Sequence, residues 1–405
     1  NPRVPGSNPG STTKKASLSG FFSAFYVGSF TRHSNLNLSA TWMSDHPKLM
    51  KQQILFSAES DAPNPWKEWG LGAFTGNCRF IVDKRFEKGE LPSYLASIWN
   101  PSKTLFLEGG EGTKSIETCH EIWEWLDDFG TNRGTWTCVV GGGTITDVAG
   151  FALSTYKRGV PFILVPTTLV GMIDASIGGK NGVNYHGFKN QIGTFQLPKA
   201  TIIDGSWMDT LDSLQLISGW MELCKHGLIH DALFWDSLQD CNPLNTKQIA
   251  PFIERAANIK QEIVELDLLD HGARKALNLG HTVAHAIEWL AHKETMSISH
   301  GIAVGWGMIW SLEWSGNYAT DETTQASLNQ AQISLRKWLD LIPEENQSAW
   351  LSQIAPNSLW AAIEKDKKNE ANRVYDVYLT SIGEAKWHTE ISLESFTSVW
   401  KQVFK

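Results

Sequence analysis

The 405-residue sequence has no C-x-x-C pair. Its five cysteines, Cys78, Cys119, Cys138, Cys224 and Cys241, are widely spaced and odd in number. That pattern excludes a cysteine zinc module and fits reduced thiols in a cytoplasmic enzyme. No run of about 18 apolar residues occurs, so no membrane span is expected. Positive charge is also scarce. The formal net charge of -8 argues against a nucleic-acid or membrane-surface partner, which normally calls for a basic protein. It leaves room for a nucleotide or sugar phosphate held by a few local cations. The G-x-G-x-x-G fingerprint of dinucleotide-binding domains is missing, and so is the zinc-protease motif H-E-x-x-H.

Residues 1–42 lack Asp and Glu altogether while carrying Arg3, Lys14, Lys15 and Arg32. This composition suits a transit peptide, and "FFSAFYVGSF" could mimic a short signal core. Position 1 is not Met, however, and the first Met is Met43. Residues 1–42 are therefore read as a disordered or non-native leader outside the fold.

What remains is long enough for two domains. From about residue 51 to 205, short apolar runs alternate with helical stretches. "RFIVD" (79–83), "TLFLEG" (104–109), "WTCVVGGG" (136–143), "PFILVP" (161–166) and "ATIID" (200–204) read as strands. Alternation of this kind predicts an α/β domain with a mostly parallel sheet, assigned to residues 43–205. Beyond 206 strand signals fade and apolar residues recur at helical spacing, which predicts an all-helical domain over 206–405.

Three stretches suggest chemistry. In "CVVGGGTITDVAGF", Gly141, Gly142 and Gly143 follow a strand and open a helix, where backbone amides can approach a phosphate. A ligand-free tight turn reads equally well, and Asp147 could meet a cofactor hydroxyl or cap the helix. "VPTTLVGMIDASIGGKNGVNYHGFKNQIGTF" gathers Thr167, Thr168, Asp174, Lys180, Lys189 and Asn190 among glycines, a composition suited to anion binding or to a solvated loop. "ALNLGHTVAHAIEWL" sets His281 and His285 one helical turn apart. A catalytic metal site needs three protein ligands, and distant segments offer His300 and Glu222. Glu222 sits in an apolar helical pattern, where a carboxylate must be paired or metal-bound. Lys225, three residues on, supplies a plain ion-pair explanation.

Taken in order, "GGGTITDVAGFALSTYKRG", "VPTTL", "DASIGGKNGVN", "KNQIGTF", "ELCKHGLI", "RKALNLGHTVAH", "HGIAVGWGM" and "DKKN" resemble the sugar-phosphate cyclases, and within them the 3-dehydroquinate synthase family, over roughly residues 50 to 400. The resemblance implies an NAD-binding domain, a metal-binding helical domain and a homodimer. It implies a carbon–oxygen lyase reaction of the shikimate pathway on a small sugar-phosphate substrate: NAD-dependent oxidation, phosphate elimination, reduction and aldol closure. It assigns the metal, zinc or cobalt, to Glu222, His281 and His300. Asp83, Glu111, Lys114, Gly142, Gly143, Asp147, Thr167 and Thr168 would line the NAD site. Lys180, Lys225, Arg274, Asn278 and His285 would be catalytic, with Asp174, Lys189, Asn190 and Lys260 binding substrate. Arg158 would reach the partner subunit's substrate, and Lys367 or Lys368 would enter from "DKKN".

Two positions depart from the family pattern. Ile302 replaces the glutamate that usually follows His-Gly, and Asn181 replaces the threonine after "GGK". The rival readings are a sister cyclase acting on sedoheptulose 7-phosphate, a metal-dependent alcohol dehydrogenase, and a catalytically inactive ligand-binding homologue. The residues that would read a substrate carboxylate, Lys260, Arg274, Asn278 and His285, stand as in the dehydroquinate branch.

Overall fold

The computed structural model describes residues 52–57, 65–74, 76, 78–89, 91–186, 188–342, 348–364 and 373–404. The leader over 1–42 and both lysines of "DKKN" lie outside the described residues.

Six parallel strands form one sheet: β1 (Ile54–Phe56), β2 (Cys78–Asp83), β3 (Thr104–Leu107), β4 (Trp136–Gly141), β5 (Phe162–Pro166) and β8 (Ala200–Ile203). Their order across the sheet is β1-β8-β5-β4-β2-β3. The central strands are buried on both faces, which is why they read as continuous apolar runs in the sequence. Alternate side chains feed two cores. Phe80, Val82, Cys138, Val140, Ile163 and Val165 join a large core shared with the helical half. Ile81, Val139, Phe162 and Leu164 join a smaller one beneath the helices Ile116–Asp128 and Gly143–Thr155.

The polar stretch after residue 180 is an antiparallel hairpin, β6 (Lys180–Tyr185) and β7 (Phe188–Phe195), rather than an irregular loop. The C-terminal half is helical as expected, with one correction to "all-helical". An antiparallel ribbon of β9 (Val374–Ser381) and β10 (Glu384–Ile391) interrupts it. In β9, buried residues follow neither strict alternation nor a helical period, so no periodic signal marks the strand.

Three helices of that half position the site. Ser213–His230 starts with a capping box between Asp212 and Gln215 and is buried along almost its whole length. His300–Ser315 packs beside it, and His281–Lys293 packs against His300–Ser315 in turn. Glycines let these backbones touch. A Cβ on Gly301 would lie 1.9 Å from the Ser218 carbonyl oxygen, and one on Gly307 would lie 2.0 Å from that of Gly280. Gly280 itself has φ +77, at the turn into the His281 helix.

These contacts are backbone to backbone and cannot be relieved by a rotamer change. Gly307→Ala is expected to cost roughly 1–3 kcal/mol or more, as overpacking does. Urea denaturation of the variant and parent measures this. Equal midpoints and slopes would mean that the two helices can part without penalty.

Candidate metal and substrate site

Strand order reverses between β2 and β4. From β2 the chain leaves toward β3, and from β4 toward β5 on the other side. A crevice opens at the carboxyl ends of strands at such a switch point and commonly takes a nucleotide. The sequence placed its candidate cofactor residues there. Asp83 ends β2 beside Gly141, the end of β4, since Val82 and Val140 pair directly. Asp83 accepts from the Arg85 amide and pairs with Arg85 Nε at 3.3 Å, while Arg85 donates to Thr167. Gly142 is the N-cap of the Gly143–Thr155 helix, and a Cβ on it would press on Thr168 at 3.0 Å. A helix N-terminus reached through small residues suits a phosphate.

Asp147 does not cap that helix; it receives a hydrogen bond from Lys114 at 2.7 Å. Burial pushes its carboxyl up, and Lys114 opposes this. Lys114 also donates to Asn190, and Asn184 donates to Glu111, so the hairpin is tied to the nucleotide side of the crevice.

Across the crevice, Glu222, His281 and His300 converge. One ligand atom from each lies within 4.8 Å of the others. His281 Nδ1 is 3.1 Å from the Leu279 carbonyl, and its Nε2 faces Glu222 Oε1 at 3.8 Å. The carbonyl places the proton on Nδ1 and leaves Nε2 as the lone-pair donor. Burial, aided by Lys225, pulls the His281 pKa well below its usual value, so the ring is a neutral ligand. Glu222 is fully buried, and neither of its oxygens has a hydrogen bond in good geometry. Lys225 Nζ is 2.5 Å from Oε2, close enough for an ion pair but outside hydrogen-bond geometry. Burial alone would raise the Glu222 pKa; Lys225, His300 and His281 together outweigh it and hold the group ionised. His300 Nε2 is 3.3 Å from Glu222 Oε1, and its Nδ1 is 3.3 Å from both oxygens of Glu288. Burial lowers the His300 pKa, but the two carboxylates carry it up to about 10. The donor set of two imidazoles and a carboxylate fits a divalent ion of the zinc type.

His285 is brought near without joining the trio. Its ring centroid lies 5.7 Å from that of His281 and 6.2 Å from that of His300. Asn278 ends the turn Ala273–Asn278 just before the His281 helix.

Lys225 also links the metal-type cluster to Asp174, 3.9 Å away. Lys260 donates to both the Asp174 carbonyl and its carboxylate. Burial would raise the Asp174 pKa, but Lys260 and Lys225 hold it well below the usual range. Further along the crevice Lys180 pairs with Asp270 at 2.5 Å, and Lys189 pairs with Glu288 at 2.6 Å. Arg274 is buried and donates to the Gly178 and Leu268 carbonyls.

Asp270 and Glu288 are site residues that the sequence reading missed. Asp270 sits at φ +63 in a turn with no periodicity to mark it. Glu288 had a usable signal: it lies seven residues after His281, two turns along the same helix face. The two departures from pattern have plain accounts. Ile302 is fully buried in the large core. Asn181 is buried and ties the hairpin down by donating to the Gly179 and Gln196 carbonyls. Arg158 is the one described candidate that does not reach this crevice. It is exposed at the far end of the 13-residue Gly143–Thr155 helix, about 20 Å from the glycine turn at 1.5 Å per residue.

A parallel sheet with a switch-point crevice, facing a helical layer with a three-ligand cation pocket, defines a nucleotide- and metal-type enzyme fold. The chain belongs to the 3-dehydroquinate synthase family. Models of the family's N-terminal and C-terminal domains match residues 104–218 and 219–369. The chain is 32% identical over 292 residues to the 3-dehydroquinate synthase of Parabacteroides distasonis, covering 72% of this chain and 80% of that one. It is 31% identical over 356 residues to the Salinibacter ruber enzyme of the same name, covering 86% and 93%. Among solved structures, a 2-epi-5-epi-valiolone synthase from Streptomyces hygroscopicus with NAD+ and Zn2+ bound superimposes with TM-score 0.70 at 24% identity, covering 94% of this chain and 99% of that one. At that identity the likeness speaks for the fold.

His281→Ala is expected to abolish zinc binding measured by calorimetry, whereas His285→Ala should retain it and lose activity. Equal metal loss in both variants would make the pair a two-histidine clip instead.

Proposed function

We propose that the protein converts 3-deoxy-D-arabino-heptulosonate 7-phosphate into 3-dehydroquinate and phosphate, as a carbon–oxygen lyase using NAD and a divalent ion, zinc or cobalt. In this reading residues 43–205 form the NAD-binding domain and 206–405 the metal and substrate domain of a cytoplasmic homodimer. The observation that carries it is the unbroken chain of charge from the cation pocket to the crevice: Glu222, Lys225, Asp174 and Lys260 in successive contact.

When bound, NAD supplies a reversible hydride acceptor and the ion a Lewis acid that polarises a substrate hydroxyl. The protein's own residues do the rest. Glu222, His281 and His300 converge where the ion would be held. Lys225 and Asp174, beside that point, can hydrogen-bond and orient the hydroxyl groups of the sugar. Lys260 and Arg274 offer two buried cations to a carboxylate, and a site built for that group rejects substrates lacking it. Lys180, Lys189 and Asn190 line the hairpin where a phosphate can be positioned for elimination, a step that rests more on placement than on a strong base. Arg158, exposed about 20 Å from the glycine turn, is free to be assigned to the partner subunit's substrate.

Purified protein with NAD and zinc should release phosphate from the heptulosonate phosphate and not from sedoheptulose 7-phosphate. Release from the latter alone would move the protein to the sister cyclases. No turnover of either with both ligands bound would mark an inactive homologue. A pH profile gives a second check. Burial brings the Lys260 pKa down to about 8 against the opposing charge of Asp174. The group is cationic below that pH and neutral above it, so kcat/KM for the anionic substrate should fall as pH rises through about 8. Lys260→Met should lower kcat/KM below that pH at least about tenfold and remove the fall. A parent profile that stays level well above that point would remove Lys260 from substrate binding.

A further inference from the structure

Glu288 carries two contacts that a simple ion pair does not explain. Its carboxylate is 5% exposed, and its Oε1 accepts from Lys189 at 2.6 Å. Lys189 is itself 42% exposed. A pair with a lysine this open to water does little to offset burying the carboxylate. A second contact is with His300. Both Glu288 oxygens lie 3.3 Å from His300 Nδ1, on the side of the ring opposite Glu222. Glu288 is therefore aimed at the outer nitrogen of a ring whose inner nitrogen belongs to the cation pocket. Ile302, two residues after His300, is buried in the core and provides no acceptor.

We propose that Glu288 is the positioning residue of the metal centre: it accepts the Nδ1 proton of His300, fixes the ring with Nε2 facing Glu222 and His281, and raises the basicity of that nitrogen. Its partner role in His281 is played by a neutral backbone carbonyl, that of Leu279. The centre is thus asymmetric, with one ligand backed by a full negative charge and the other by a dipole. Lys189 donates to Oε1, one of the two oxygens that face His300. The inference rests on the metal centre proposed above.

The test is metal affinity, not turnover. Parent, Glu288→Gln and Glu288→Ala proteins are titrated with zinc alone against a chelator, and with Co2+ for its visible d–d bands. Zinc dissociation constants should rise from parent to Gln to Ala, by roughly 10–100-fold for the alanine variant. The Co2+ bands should shift in the glutamine variant, while NAD affinity and the melting temperature of the metal-free protein stay near the parent's. Variants that bind zinc as tightly as the parent overturn the role. So does a parallel fall in melting temperature and NAD affinity with unchanged Co2+ bands, which would make Glu288 a structural residue. A parent that binds no divalent ion overturns the metal centre itself and this role with it. Should the variants fail to fold, long-range 15N–1H spectra of the zinc-loaded parent decide: a proton on His300 Nδ1 is expected, and a bare Nδ1 overturns the proposal.

Discussion

The structure turns on one buried charge. Glu222 stands in the middle of a helix with no solvent access, and an uncompensated carboxylate in such a place is prohibitive. Its neighbours exist to answer it. Lys225 comes from the next turn of the same helix, and His281 and His300 come from two others. Lys225 cannot neutralise Glu222 alone without itself becoming a buried cation beside Asp174, and so the requirement spreads. Asp174 needs Lys260, and Glu288 and Lys189 close the same chain on the His300 side. A set of charges that a smaller core would reject is tolerated because each member is paired, Glu222, Lys225, Asp174 and Glu288 with at least two partners each, and the whole lies in one crevice.

That arrangement links the two halves of the molecule chemically as well as spatially. The nucleotide-type side is built from strand ends and a helix N-terminus, which provide backbone donors. The helical side provides ionised side chains. Asp174 and the hairpin's Lys180 and Lys189 are the sheet half's contribution to the charged side; each lysine meets a carboxylate of the helical half, and Asp174 meets two of its lysines. Hydride chemistry and metal chemistry on one small substrate require such proximity.

Much of this was legible in the sequence, for identifiable reasons. The four central strands, β2, β4, β5 and β8, are buried on both faces, so each appears as an unbroken apolar run between turns. The glycine turn after β4 is marked by three consecutive glycines. The ligand set was open on chemistry alone, where Glu222–Lys225 could have been an ordinary pair; the ordered motifs of the family implied the three residues that the structure brings together. What stayed hidden depends on chain segments meeting in space. The β6–β7 hairpin is polar and glycine-rich because it lines a crevice rather than a core, and its composition imitates a loop. The β9–β10 ribbon lacks regular alternation. Glu288 and His300 are 12 residues apart and meet only because their helices pack side by side.

The glycine contacts have a mechanical consequence. Gly301 and Gly307 weld three helices together through main-chain atoms, so the ligand-bearing segments have no freedom to slide past one another. The hairpin, by contrast, is joined to the helical half at this seam by the lysine–carboxylate bridges from Lys180 and Lys189, both partly open to water. Such bridges can exchange partners at little cost in free energy. Stiffness is thus concentrated where coordination geometry must not drift, and compliance where a substrate has to enter and a product has to leave.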